Sequence, residues 1–170
     1  MVSEDTKFML LALREAEKAY KKGEVPAGAV ITDGAGKVLG KAGNRVIAGN
    51  DSTAHAEIVA IRKAEKKSKN FLLSGASIFV TVEPCIMCWG AIQKARIKRV
   101  VFGAGSPKDG AFGGRINLSG AVRLNHTFSE VKGGVLAEES AALLKKFFKH
   151  LRNGEVSEWL KEHASKACED

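Results

Sequence analysis

Two segments, Thr53-Ala-His-Ala-Glu-Ile58 and Pro84-Cys-Ile-Met-Cys88, restrict this chain more than any other feature. They carry three side chains of zinc-ligand type, His55, Cys85 and Cys88, so a fold that uses them must bring both segments together. Structural zinc sites close their tetrahedron with a fourth protein ligand, whereas catalytic sites keep one position open. Neither segment supplies a fourth ligand, and the carboxylate of Glu57 stands two residues from the histidine. A general acid/base beside an open metal position points to hydrolysis, not to a metal staple. A site closed by His126, His150 or His163 is the structural alternative, and it leaves Glu57 unexplained.

Helix geometry accounts for the spacing. His55 and Glu57 are expected in the first turn of one helix. Cys85 and Cys88, three apart, are expected in the first turn of another, with both sulfurs facing one ion. The positive ends of the two helices then point at the site and favour thiolate over thiol. Pro84 suits the start of the second helix, where its fixed φ is compatible and no needed amide is lost.

Around these segments the chain alternates between two hydrophobic periods. Asp5 is expected to cap a helix over Thr6–Lys21, ended by Gly23, with Phe8, Leu11, Ala12, Ala16, Ala19 and Tyr20 on one face. Ala27–Thr32 reads as a buried strand, Asp33–Gly36 as a turn and Lys37–Lys41 as the returning strand. Gly43–Ser52 is polar loop, and Ala54–Lys66 reads as helix. Ser77–Val82 is a strand, Cys85–Ala95 a helix and Arg99–Gly103 a further strand. The glycine-rich stretch Gly103–Gly120 is loop, with neither spacing of a phosphate cradle. A weakly marked strand near Thr127–Val131 and an amphipathic helix over Glu138–Leu151 follow. The tail Glu155–Ala167 has Val156, Trp159, Leu160 and His163 at helical spacing.

Strands alternating with helices predict an α/β sandwich. At 170 residues and 45% hydrophobic content the chain can bury a core of ordinary size. Residues 1–152 are expected to form one domain, with 153–170 a helical tail packed on it. The acidic start carries no secretion signal, and no segment approaches the roughly 18 apolar residues of a membrane span. Three cysteines, two of them in the ligand motif, argue against a disulfide framework and for the reducing cytoplasm. Cys168 reads as an incidental thiol. A net charge of +8 and a pI near 9.5 favour polyanionic partners. Lys145, Lys146, Lys149 and Arg152 on the last long helix are more often a solvated face, and a lone loop asparagine such as Asn44 is usually a turn former.

The spacing H-x-E…P-C-x-x-C is the known signature of the zinc nucleobase deaminases. Beyond it, the chain resembles the bacterial tRNA-specific adenosine deaminases, a branch of the zinc-dependent cytidine/deoxycytidylate deaminase superfamily that converts wobble adenosine to inosine. The similarity covers nearly the whole length: Gly23-Glu-Val-Pro-Ala-Gly-Ala-Val30, Asn44-Arg45, Thr53–Ile58, Val82-Glu-Pro-Cys-Ile-Met-Cys88, Arg99-Val-Val-Phe-Gly-Ala104, Asn125-His126 and Gly134–Leu144. The zinc signature belongs to the entire superfamily; the later blocks favour the tRNA branch over free-base deaminases.

This resemblance implies a three-layer α/β/α sandwich with a central five-stranded mixed sheet, like that of cytidine deaminases. It implies one Zn²⁺ per chain on His55, Cys85 and Cys88, Glu57 as the catalytic proton shuttle, and Asn44 as a contact to the target nucleoside. A homodimer that jointly forms the RNA-binding surface is implied too. Two departures stand out: the family carries Arg-Asp where this chain has Gly105-Ser106, and proline where it has Ser52. The loop holding Gly105, Ser106 and Lys108 lies near the nucleic acid in the family. Since the 2′-OH is how a protein separates RNA from DNA at a site, these departures bear on RNA selectivity.

The leading expectation is therefore adenosine deamination in tRNA or another single-stranded nucleic acid. A deaminase of free guanine, cytosine or a related ring is the alternative, and needs no positive surface. A non-enzymatic zinc-stabilised binding module is the third, which Glu57 argues against.

Overall fold

The computed structural model describes residues 2–119 and 126–153. In chain order the elements are α1 (Glu4–Lys21), β1 (Gly28–Thr32), β2 (Val38–Gly43), α2 (Ala56–Ser68), β3 (Ser77–Val82), α3 (Ile86–Lys94), β4 (Arg99–Ala104), β5 (Glu130–Lys132) and α4 (Ala137–Arg152). The strands form one mixed sheet in the order β2-β1-β3-β4-β5. β1 runs antiparallel to both β2 and β3, while β3, β4 and β5 are parallel.

The sheet is covered on both faces, and strand alternation shows how. Ala29, Ile31, Ile78, Val80 and Val100 face a core that includes Ala56, Ala60, Ile61 and Ala64 of α2 and Ile92 of α3. Their neighbours Val30, Phe79 and Val101 face the opposite way, onto Phe8, Met9 and Ala12 of α1. Period-two patterning with apolar residues in both phases is what a strand covered on both faces requires. α4 packs beside α1 on that second face. The expected three-layer α/β/α architecture with five strands is the one observed.

Contact between α1 and β1 is unusually close. A Cβ on Gly28 would lie 2.0 Å from the Ala12 carbonyl oxygen, so only glycine lets the helix backbone rest there. Small residues on the helix, Ala12, Ala16 and Ala19, complete the fit. One end of the sheet then gathers the start of β1, the end of β2 (Gly28 pairs with Gly43) and the ends of β3 and β4 (Val82 pairs with Ala104). In open α/β sheets, ligands bind outside the carboxyl ends of the strands.

Several expectations need correction. Asp5 does not cap α1; Ser3 does, its hydroxyl accepting the Thr6 N–H at 3.2 Å. Asp5 is instead buried in the first turn, where it receives the Arg99 guanidinium in bidentate fashion and the Lys132 ammonium. A carboxylate two residues inside the helix is as compatible with the helix dipole as one at the cap, so the local signal could not separate them. The edge strand β2 extends to Gly43, past the expected Lys41, and β5 is shorter and later than Thr127–Val131. Both helices of the motif start later than expected, at Ala56 and Ile86. The tail Glu155–Ala167 and Cys168 lie outside the described residues.

Candidate metal and catalytic site

His55 and Cys85 occupy equivalent places: each is the residue that immediately precedes a helix, in extended conformation, and neither side chain caps its own helix. Each helix therefore presents uncapped first-turn amides, and its partial positive charge, towards the same spot. Cys88 sits inside α3, three residues on. The ligand sulfurs thus come from a helix boundary and its first turn, not both from the turn itself. Pro84 lies one residue further out than expected, and its carbonyl accepts the Ala111 N–H at 3.0 Å.

The ligand atoms converge. His55 Nδ1 lies 3.7 Å from the Cys85 sulfur and 3.5 Å from that of Cys88, and all three atoms fall within 4.8 Å of one another. Metal–sulfur bonds of about 2.3 Å and metal–nitrogen bonds of about 2.0–2.1 Å at tetrahedral angles separate N and S by roughly 3.6 Å. The residues fit a tetrahedral zinc without rearrangement. Among the described residues no fourth His, Cys, Asp or Glu joins the cluster. His126 is engaged with the Ile97 carbonyl and His150 with the Tyr20 hydroxyl, so neither closes the site. His163 is outside the described residues.

The two thiols and the imidazole shift one another's titration. The Cys85 thiol is lowered to about 4, chiefly by its hydrogen bond with Cys88 and further by His55. Cys88 is pushed upward, by Cys85 and by burial. His55 is raised, chiefly by its hydrogen bond with Cys85 and against the opposing effect of burial. Glu57 lies buried against Cys88, and burial raises its carboxyl above the ordinary range. A bound dication would oppose that rise.

Asn44 is buried on the loop after β2. The Arg45 N–H donates to the carbonyl of Ala54, the residue before His55, which ties this loop to the metal segment. The Asn44 amide is oriented by Glu24, a fully buried carboxylate that accepts Asn44 Nδ2 at 3.1 Å and the Ala48 N–H at 2.8 Å. Glu24 was not singled out in the sequence. The only available signal was its place beside Pro26, before a buried strand.

The loop after β4 also reaches the site. Gly110 pairs with Cys85 as an isolated β-bridge, which sets Gly105, Ser106 and Lys108 on the same side as the metal-ligating turn. Their side chains touch none of the ligands; Lys108 is exposed. Glu83, which the sequence did not single out either, accepts three N–H bonds from this loop. Lys145, Lys149 and Arg152 lie exposed on α4, and Lys146 lies over the Tyr20 ring.

Comparison with known proteins agrees with this geometry. The family model "Cytidine and deoxycytidylate deaminase zinc-binding region" matches residues 2–104. The tRNA-specific adenosine deaminase of Haemophilus influenzae is 47% identical over 148 residues, which is 87% of this chain and 85% of that protein. The tRNA-specific adenosine deaminase of Bacillus subtilis is 43% identical over 89% of this chain and 92% of its own. A solved structure from work on A-to-I editing by tRNA deaminases at the wobble position of transfer RNA superposes with a TM-score of 0.75. It is 42% identical and covers 82% of this chain and 99% of its own.

Proposed function

The chain belongs to the tRNA-specific adenosine deaminases, a branch of the zinc-binding cytidine and deoxycytidylate deaminase family, and we propose that it hydrolyses adenosine to inosine in a nucleic-acid loop, foremost at the wobble position of tRNA. One observation carries the chemistry: three ligands converge at tetrahedral spacing with no fourth among the described residues, and a buried carboxyl lies against one of them. The substrate class follows from relatives that are named for tRNA, supported by the +8 charge.

His55, Cys85 and Cys88 would hold the zinc. When bound, zinc supplies Lewis acidity that brings water ionisation to a pKa of about 7. Glu57 then does the proton work. It accepts a proton from the attacking water and delivers it to the ring nitrogen as the new C–O bond forms. It next takes the remaining proton of the added hydroxyl and passes it to the departing amine as the C–N bond breaks and the carbonyl forms, so that adenosine and water give inosine and ammonia. A carboxyl suits this work because the same group must accept and donate in turn. Asn44, oriented by Glu24, contacts the nucleoside, and the Gly105–Lys108 loop contacts the flanking strand. The target base enters already unpaired or flipped out of its stack.

The enzyme acts as a homodimer in the cytoplasm, and single-stranded DNA is a second substrate in this reading. The resemblance to the tRNA deaminases is the ground for the dimer and the compartment, and Gly105-Ser106 in place of Arg-Asp is the ground for DNA as a second substrate. No helix among the described residues is long and apolar enough to cross a membrane.

A deamination screen by mass shift tests the proposal, with tRNA anticodon stem-loops, single-stranded DNA, and free adenine, adenosine, cytosine and guanine. We expect inosine in the stem-loop, with turnover falling steeply as salt rises because phosphate contacts release counterions. Turnover of free guanine or cytosine, with no reaction on any oligonucleotide at low salt, would overturn it.

A further inference from the structure

The loop that follows β4 has little regular structure, yet one carboxylate holds it across its length. Glu83, buried at the end of β3, accepts the Ser106 N–H on Oε2 at 2.8 Å. Its Oε1 accepts the N–H groups of Phe112 at 2.8 Å and Gly114 at 2.9 Å. The backbone on either side is engaged as well. Glu83 donates its own N–H to Ala104, Pro84 accepts from Ala111, and Cys85 bridges to Gly110. Apart from the bond to Ala104, the last residue of β4, these contacts join the metal-ligating turn to the loop proposed to contact nucleic acid.

Glycines mark how closely the carboxylate is wrapped. A Cβ at Gly110 or at Gly114 would come within 2.3 Å of the Glu83 carboxylate, so neither position tolerates a side chain. At Gly105 the same Cβ would stand 3.7 Å from Oε2, an ordinary contact. Glu83 therefore grips main chain only. Positions 105 and 106, where this chain departs from its family, stay free to differ without moving the loop.

We propose that Glu83 is a positioning residue for the nucleic acid: it holds the loop Gly105–Gly114 in register with the metal-ligating turn, so that Gly105, Ser106 and Lys108 meet the strand beside the target base. This rests on the activity proposed above. A buried carboxylate receiving three amides suits such a task, because charge-assisted bonds are short and directional. An apolar residue of similar size would take the shared acceptor away from three part-buried N–H groups.

Glu83→Gln in the full-length, zinc-loaded protein tests the proposal. Glutamine keeps the shape and one acceptor oxygen but turns an NH₂ towards loop N–H donors. We expect zinc content and kcat close to wild type, a KM for the anticodon stem-loop raised by about tenfold or more, and faster amide exchange at Ser106, Phe112 and Gly114. Gly114→Ala, which crowds the clamp from the loop side and leaves the metal turn unaltered, should give the same KM effect. Loss of zinc, or a fall in kcat at unchanged KM, would show that Glu83 serves only the metal turn and would overturn the proposal. So would unchanged KM in both variants. If the wild-type protein itself left stem-loops untouched, the activity assignment would fail; exchange and zinc content would still decide whether Glu83 clamps the loop.

Discussion

Glu24, Glu57 and Glu83 are 1%, 5% and 5% exposed, the most deeply buried glutamates among the described residues. Buried carboxylates are rare without partners, and what each one faces separates their roles. Glu24 and Glu83 accept amide N–H bonds and act on protein geometry. Glu57 faces a ligand sulfur instead, and burial raises its carboxyl. That difference is why Glu57, and not Glu24 or Glu83, is the residue proposed as the proton shuttle. Glu57→Ala and Glu57→Gln should both keep zinc and fold while turnover falls at least about 10²-fold, the low end for positioned acid–base catalysis. Single-turnover rates under saturating substrate, measured alongside metal content, check this. Near-normal rates in either variant would remove Glu57 from the mechanism.

Among the elements, the edge strand β2 and the loop after β4 show two ways of holding backbone that a ladder leaves unpaired. Lys63 and Lys67 of α2 reach over and donate to the carbonyls of Lys41 and Val38, at 3.1 and 2.7 Å. Those lysines blunt an edge that would otherwise accept another strand. The loop instead relies on Glu83, which holds it by main-chain N–H groups and leaves Gly105 and Lys108 exposed. Restoring Gly105→Arg together with Ser106→Asp should therefore be tolerated by the fold and should shift preference from DNA towards RNA loops. The arginine offers a phosphate contact and the aspartate an acceptor for a ribose hydroxyl. The ratio of kcat/KM on matched RNA and DNA stem-loops measures it, and an unchanged ratio would detach this loop from sugar recognition.

Across the whole molecule, two clusters at opposite ends of the sheet tie distant segments together. At one end the metal ligands join α2 to the turn before α3. Metal binding is then coupled to folding, and removing zinc with a chelator should lower the melting temperature, with zinc restoring it. Cys85→Ala or Cys88→Ala should lose metal, activity and stability together. At the other end Asp5 on α1 binds Arg99 on β4 and Lys132 on β5, and Arg99 also pairs with Glu130. These bonds, that of Arg99 foremost, lower the Asp5 carboxyl from 3.8 to about 2. A depressed folded-state value stabilises the protein fully above about pH 4 and less as pH falls towards 2. Asp5→Asn should cost on the order of 1–2 kcal/mol near neutral pH, and the gap in denaturant midpoints should close between about pH 4 and 2. A gap independent of pH would rule out this linkage.

Much of this protein was legible in one dimension. The ligands His55, Cys85 and Cys88, the neighbouring Glu57 and the alternation of helix and strand periods follow from residue types and spacings, because local geometry converts a spacing into a shared face. The doubled apolar phases of Ala29–Ile31 and Ile78–Val80 likewise announce strands covered on both sides. Tertiary structure alone decided the rest. Whether Asp5 caps a helix or receives Arg99, 94 residues away, depends on a contact that no local pattern encodes. The same holds for Glu24 against Asn44, and for Glu83 against a loop 23 to 31 residues further on. A carboxylate has no period and no preferred partner distance in sequence, so only the fold, by burying it, fixes which donors it must find.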